Sequence, residues 1–282
     1  MNLNEKKTVA LVSPVIGEFG WTLFEVQDKV RHFFKNTNCE RKIVIADPSL
    51  KFLFEEATDV IPLPAEMKID LYPQCLGKQH DPFEYYSRLV EWTKKTYEPT
   101  EMLEIPYHMQ SFQRWTGASE YKMFTSEKRS WEPHICMSAR NVKERGASKN
   151  MDKTKWDVLV SLVKQEWDLP IYSIGLDEDT YVPDGVLKIE CDKNDYIETA
   201  VSCLNSAKFF FSSNSGTTHL SLLSGCPTFT WGDSASLTKR MEVDTNPFNV
   251  PCKCLSCGWH PASHSIWTDL REWASTFVSE KV

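Results

Sequence analysis

The stretch Phe209-Phe210-Phe211-Ser212-Ser213-Asn214-Ser215-Gly216-Thr217-Thr218-His219-Leu220-Ser221-Leu222-Leu223-Ser224-Gly225-Cys226-Pro227-Thr228 decides how this chain folds. Its opening, 208–211, ends in three aromatics with no polar alternation, as in a strand buried on both faces. Residues 212–216 are small and polar and make a tight loop. Residues 217–224 form an apolar helix, Gly225-Cys226-Pro227 ends it, and 228–231 is a second buried strand. Strand, polar bend, helix and strand together are the unit of a parallel sheet with helices on its faces. In such sheets ligands gather at the carboxyl ends of strands, where helix N-termini present unpaired N–H groups and a positive dipole end. The bend occupies that place. Its hydroxyls beside exposed N–H groups make an anion nest that carries no charge. His219 falls within the first turn of the helix, on the same side.

The alternation continues outward from this unit. Before it lie a strand at 134–139, a helix from a Thr154 N-cap through Gln165, short strands at 170–174 and 185–189, and a helix at 195–205. The 154–165 helix carries Trp156, Leu159, Val160 and Val163 on one face. After it, 266–278 is amphipathic. The first half repeats the order: a β-branched strand at 8–13, a helix at 22–35, a strand at 42–46, a short helix at 50–57, a strand at 60–63 and a longer helix at 83–97. Between the halves, 98–133 loses the pattern and is broken by Pro99, Pro106, Gly117 and Pro133. The expected architecture is α/β: two Rossmann-like parallel-sheet domains, 1–130 and 131–282, facing each other across a cleft, with 98–133 as an irregular inter-domain segment.

Two further loops share the position of the bend. Ser13-Pro14-Val15-Ile16-Gly17-Glu18-Phe19-Gly20-Trp21 follows the first strand directly. Gly17 and Gly20 are expected to supply backbone conformations closed to other residues and close approach by a ligand. Glu18 is a carboxylate that the start of a helix keeps ionised, as a general base for a hydroxyl nucleophile requires. The plainer alternative is that it caps the 22–35 helix. The loop matches neither G-x-G-x-x-G nor the Walker pattern.

The other loop, 140–153, is set apart by charge. The 282-residue chain carries 32 Lys and Arg against 39 Asp and Glu, net −7. Yet 138–156 holds Arg140, Lys143, Arg145, Lys149, Lys153 and Lys155 against Glu144 and Asp152 alone. Cations ahead of a helix N-terminus suit a diphosphate. Arg140 is the best fixed of them, with Arg145 and Lys149 able to reach the same point; the alternative is a solvated face.

An apolar fraction of 41% describes an ordinary globular chain and excludes a disordered one. No apolar run approaches the roughly 20 residues of a membrane helix, and the N-terminus is no signal peptide, so no integral membrane contact and a cytoplasmic location are expected. The acidic balance argues against non-specific coating of duplex nucleic acid. Most of the nine cysteines (Cys136, Cys191, Cys203 and Cys226 among them) sit in apolar surroundings, as small hydrophobes do in a reducing compartment. Cys252, Cys254 and Cys257, followed by His260 and His264, are weak candidates for a zinc knuckle. Their tight spacing and the lack of a distant second ligand pair favour a free-thiol loop and no metal.

The 213–228 stretch resembles the donor-site motif of GT-B glycosyltransferases. It is closest to the heptosyltransferase-like group, whose pattern is roughly Asp-Ser/Thr-Gly-x-x-His, an apolar helix, Gly and x-Pro. Gly17-Glu18-Phe19-Gly20-Trp21 is similar to the acceptor-side loop of related enzymes, where an acidic residue is the base. The resemblance implies a glycosyltransferase whose nucleotide-sugar is a substrate, with no cofactor and no bound metal; Asp177-Glu178-Asp179 is the only candidate for an Asp-x-Asp motif. It implies that Glu18 deprotonates the acceptor hydroxyl, with Gly17, Phe19, Gly20 and Trp21 beside the acceptor. Ser215, Gly216 and Thr217 would hold the donor diphosphate through backbone N–H groups, with Asn214 and His219 alongside. Arg140 and Lys149 would neutralise the leaving diphosphate, and Gly175-Leu176-Asp177 would line the nucleotide base. Asn214 stands where the group has aspartate.

The acceptor stays open between a hydroxyl on a saccharide, free or lipid-linked, and a hydroxymethylated base of phage-type DNA. Residues 107–131 interleave Tyr107, Phe112, Trp115, Tyr121 and Trp131 with Arg114, Lys122, Lys128 and Arg129, the mixture that binding a single strand or a flipped base needs. Packing of the domain interface is the alternative. A different class altogether is a non-catalytic α/β binding protein whose Cys-rich loop holds zinc.

Overall fold

The computed structural model describes residues 8–67, 81–110, 118–143, 147–175 and 178–278. The chain divides into two compact units, Met1–Lys122 and Met123–Val282. Each is a parallel sheet flanked by helices.

In the first unit β1 (Val9–Val12), β2 (Arg41–Ile45), β3 (Asp59–Ile61) and β4 (Glu101–Leu103) lie in the order β3-β2-β1-β4, every pair parallel. Ala10, Leu11 and Val12 are fully buried, as expected for a strand with neighbours on both sides. Helix α1 begins at Phe19, three residues earlier than the periodicity predicts. It runs as Phe19–Trp21, a π segment Thr22–Val26, and Gln27–Asn36. Helix α2 (Pro82–Tyr97) packs Tyr85, Tyr86, Leu89 and Val90 against Leu11, Ile43 and Ile45. Strand β4 falls inside the segment read as irregular. It is three residues long, so it offers no period to detect, and pairing with β1 alone holds it in the sheet.

The second unit contains β5 (His134–Arg140), helix α3 (Lys153–Glu166), β6 (Ile171–Ser173), β7 (Thr180–Tyr181), β8 (Leu187–Lys188), α4 (Tyr196–Ser206), β9 (Ala207–Ser213), α5 (Gly216–Leu223), β10 (Thr228–Gly232), α6 (Ala235–Lys239), β11 (Cys252–Ser256) and α7 (Ser263–Ala274). The strand order is β11-β10-β9-β5-β6-β8, and β7 pairs antiparallel with the end of β5. Relabelled in sequence order without β7, this is the 3-2-1-4-5-6 order of a doubly wound sheet. Its core is aromatic: Trp156, Phe209, Phe211, Phe229 and Trp231 are each fully buried, and Phe211 and Phe229 are register partners across β9 and β10. Burying each such side chain contributes about 1.5–3 kcal/mol.

Two expectations are corrected here. The cap of α3 is Asp152 rather than Thr154: its carboxylate accepts from the Thr154 amide at 2.8 Å and from the Thr154 hydroxyl at 2.5 Å. The cysteine segment read as a loop is strand β11, paired in parallel with β10 from Thr228↔Cys252 to Gly232↔Ser256. Among the described residues no helix is long and apolar enough to cross a membrane.

Candidate functional site

In a doubly wound sheet the ligand crevice opens where strand order reverses, because loops on either side leave in opposite directions. In the second unit that point lies between β5 and β9. Arg140 ends β5, and the polar bend follows β9. The β5–β9 register, Ser138↔Ser212, continued by two residues, sets Arg140 level with Asn214. In the first unit the same point lies between β1 and β4, and the loop bearing Glu18 leaves β1 there.

Within the bend, side chains satisfy some backbone groups and leave others open. The Asn214 amide donates to the Trp231 carbonyl (3.0 Å), and the Ser215 amide to the Thr218 hydroxyl (3.2 Å). The Thr218 amide donates to the Ser215 carbonyl (3.1 Å). Ser212 and Thr218 hydroxyls meet at 2.9 Å, and those of Ser215 and Thr217 at 2.7 Å. Gly216 and Thr217 open α5, and their amides, as the first two of a helix, have no intrahelical acceptor. Ser213 Oγ, Asn214 Nδ2 and Arg240 Nε are buried with no hydrogen-bond partner among the described residues. Buried polar atoms without protein partners mark a place for a ligand or water.

Arg240 is the residue that sequence reasoning missed. It opens a π turn, Arg240–Asp244, directly after α6, and its Nη2 donates to Asn214 Oδ1 at 3.3 Å. Burial lowers its pKa, although it stays a cation. Its only sequence signal is a cation shortly after Asp233-Ser234, and nothing local ties it to Asn214. His219 is 4% exposed, and burial, helped by the Arg240 charge, depresses its pKa to about 3. Its imidazole is therefore neutral at pH 7 and adds hydrogen-bonding capacity without charge.

The basic loop is less concentrated than its sequence suggests. Lys149 lies over the Trp259 ring (5.1 Å), Lys153 over the Tyr181 ring (5.1 Å), and Lys155 donates to the His260 carbonyl (2.7 Å). Arg140 and Lys143 lie near Asp179, whose carboxyl is raised by burial and by Glu178 while the two cations oppose the shift. Gly175 has a packing role: at φ +148°, a Cβ would sit 2.0 Å from Thr180 Oγ1. Its amide donates to the Tyr196 hydroxyl. Arg145, Leu176 and Asp177, and Phe112, Arg114 and Trp115, lie outside the described residues.

In the first unit Glu18 takes the N-cap position of α1, but its carboxylate makes no cap hydrogen bond; its carbonyl accepts from the Thr22 amide (2.9 Å). The glycines do not act as expected. Neither has a positive φ; Gly20 lies within the first helical turn, and Gly17 is needed because a Cβ would meet the Gln110 carbonyl at 2.0 Å. Phe19 and Trp21 occupy the same turn, half-buried. Fully buried Gln110 staples the loop: its Oε1 accepts from the Ile16 amide (2.9 Å), and its Nε2 donates to the carbonyls of Pro14 (3.1 Å) and Ile105 (2.8 Å). Ser13 Oγ accepts from the Ile105 amide (2.9 Å), with the Tyr86 hydroxyl 2.7 Å away. Ser13, Tyr86 and Gln110 were not legible as site residues, since their partners stand 5 to 96 positions away in the chain.

The knuckle is not assembled. Strand alternation puts Cys252 and Cys254 on one face of β11, where Cys254 packs with Leu222, Leu237, Met241 and Val250. The His260 imidazole pairs with the Ser148 carbonyl (2.8 Å). Among the described residues the only gathered set of metal-ligating side chains is His134, Cys136 and Cys203. A surface cavity of about 740 Å³, lined by Trp167, Lys208, Trp267 and Arg271 among others, lies toward the amino ends of the strands, away from the bend.

No family model and no curated protein matches the sequence. Solved structures do match the fold. The glycosyl transferase family 9 protein of Veillonella parvula DSM 2008 aligns over 98% of this chain and 99% of its own at 8% identity, with a TM-score of 0.58. The ADP-heptose lipopolysaccharide heptosyltransferase II of E. coli aligns over 95% and 99% at 12% identity and 0.61. The E. coli heptosyltransferase WaaC with ADP aligns over 96% and 99% at 11% and 0.53. The chain thus has the two-sheet α/β fold of GT-B glycosyltransferases. Within that class it is similar to the heptosyltransferase group.

Proposed function

We propose that this chain is a glycosyltransferase that moves a sugar from a nucleotide-sugar donor to an acceptor hydroxyl. The observation that carries the proposal is the bend after β9: two open amides at a helix start, partnerless buried donors on Ser213, Asn214 and Arg240, and Arg140 level with them at the switch point. That set suits a diphosphate, whose negative charge grows as it leaves. The acceptor oxygen attacks the anomeric carbon, Glu18 takes its proton, and the bond from that carbon to the diphosphate breaks with its electron pair going to the nucleoside diphosphate. Arg140 and Arg240 neutralise that charge, so the scheme uses no metal and no cofactor.

A saccharide hydroxyl is the better-supported acceptor. Of the aromatic and basic side chains invoked for DNA, Tyr107 is buried, Tyr121 donates to the Phe24 carbonyl, Lys122 pairs with Glu55, Lys128 pairs with Asp195, and Arg129 covers Trp131. Among the described residues these side chains are engaged in packing and ion pairs rather than in a stacking surface. Free thiols at the described cysteines suit a reducing compartment such as the cytoplasm. The test is Glu18→Gln with a panel of UDP-, GDP-, ADP- and CMP-sugars. Transfer to a saccharide should vanish while donor binding, read by thermal shift, persists. Normal turnover by the variant would refute the base assignment, and transfer to hydroxymethylated DNA alone would reverse the choice of acceptor.

A further inference from the structure

At the amino end of β5 lies a cluster that the transfer chemistry does not use. His134 and Cys136 share one face of β5, and Cys203 faces them from α4; all three are fully buried. Cys136 Sγ and Cys203 Sγ are 3.5 Å apart, and Cys203 Sγ is 3.2 Å from His134 Nε2. The other imidazole nitrogen, Nδ1, lies 2.7 Å from the Glu132 carbonyl. A hydrogen bond there fixes the tautomer with the proton on Nδ1 and turns the Nε2 lone pair toward the thiols, as outer hydrogen bonds do for metal-bound histidines. Nε2 also stands 3.0 Å from the Cys203 carbonyl. That nitrogen is satisfied by a proton, from the Cys203 thiol or carried on Nε2, or by a metal ion.

The gathering of three metal-ligating atoms within 4.8 Å of one another points to the ion. With Zn–S near 2.3 Å and Zn–N near 2.0–2.1 Å, tetrahedral geometry separates two sulfurs by about 3.8 Å and a sulfur from a nitrogen by about 3.6 Å. The observed 3.5 and 3.2 Å would open by a few tenths of an ångström to meet those values, and the full set closes from within 4.8 Å. The β5–β9 register is irregular here, between His134 and Cys136, so the ladder already yields at this point.

We propose that His134, Cys136 and Cys203 bind a zinc ion that pins β5 to the helix leading into β9. Arg140 is six residues further along β5, about 20 Å away at strand rise, so the ion is separate from the donor site. The cluster's members are separated by up to 69 positions, so no local spacing links them.

The probes are Zn²⁺ and Co²⁺ added to the chelator-stripped full-length protein. The chain should take up about one Zn²⁺, and Co²⁺ should give a thiolate charge-transfer band with the intense visible absorption of tetrahedral cobalt. Zn²⁺ should also shield Cys136 and Cys203 from N-ethylmaleimide in the wild-type protein, read by peptide mass spectrometry, so the result does not depend on a core variant folding. Cys252→Ser/Cys257→Ser should keep metal and band, whereas Cys136→Ser/Cys203→Ser should lose both. Absence of the charge-transfer band, alkylation of Cys136 and Cys203 at the same rate with and without Zn²⁺, or loss of metal only in the Cys252/Cys257 variant would each overturn the proposal.

Discussion

Gly17→Ala is the sharpest perturbation of the acceptor-side loop. A Cβ built there lies 2.0 Å from the Gln110 carbonyl oxygen and 2.7 Å from Gln110 Cβ. Backbone atoms cannot swing aside as a side chain end can, so the loop must retreat by about 1 Å to restore ordinary contact. Retreat works against the bonds that hold it: Val15 amide to Ile45 carbonyl (2.8 Å), Ile16 amide to Gln110 Oε1 (2.9 Å) and Gln110 Nε2 to Pro14 carbonyl (3.1 Å). Each contributes roughly 0.5–1.5 kcal/mol, so losing two or three costs about 2–4 kcal/mol. With a urea m-value near 2 kcal/mol/M, the unfolding midpoint should fall by about 1–2 M. Glu18, the proposed base, is the next residue, and a displacement near 1 Å of a catalytic group costs on the order of 100-fold in rate. Urea unfolding followed by tryptophan fluorescence, beside single-turnover transfer, measures both effects. Donor affinity should be unchanged. A midpoint within about 0.2 M of wild type, where the m-value predicts 1–2 M, would show that Gly17 is not held by close approach.

Arg240→Met should weaken donor binding by about 10–100-fold, the loss of one charge-assisted contact, with little change in folding; unchanged affinity would remove Arg240 from the site. The same substitution should raise the His219 pKa, since the Arg240 charge is the second cause of its depression, and NMR titration of the imidazole reads this. His219 also sets a pH dependence. Its folded pKa of about 3 lies below the unfolded 6.5, so the unfolded chain binds the extra proton between these values and stability falls as pH drops through that window. From pH 7 to 5 the loss is about 2 kcal/mol, and His219→Gln should remove that part of the slope in paired urea titrations.

Much of the architecture was legible because parallel strands buried on both faces read as unbroken apolar runs, as at 208–211, and because polar bends must follow them. The elements that escaped were those without a period. Strand β4 is three residues long, and β11 hid behind cysteine spacing that looked like metal chemistry. The site was half legible. Asn214, Ser215, Gly216, Thr217, His219 and Arg140 gather at one switch point, whereas Lys149 and Gly175 have structural partners instead.

From its residues alone this chain declared two α/β halves and a polar bend at a helix start, since backbone periodicity and helix-terminus chemistry are local properties. The third dimension supplied the rest. It brought Arg240 to Asn214, Gln110 to the Glu18 loop, and His134 to Cys203. Those pairs are 26, 96 and 69 positions apart. Only the order of strands in a sheet decides which distant side chains share an edge.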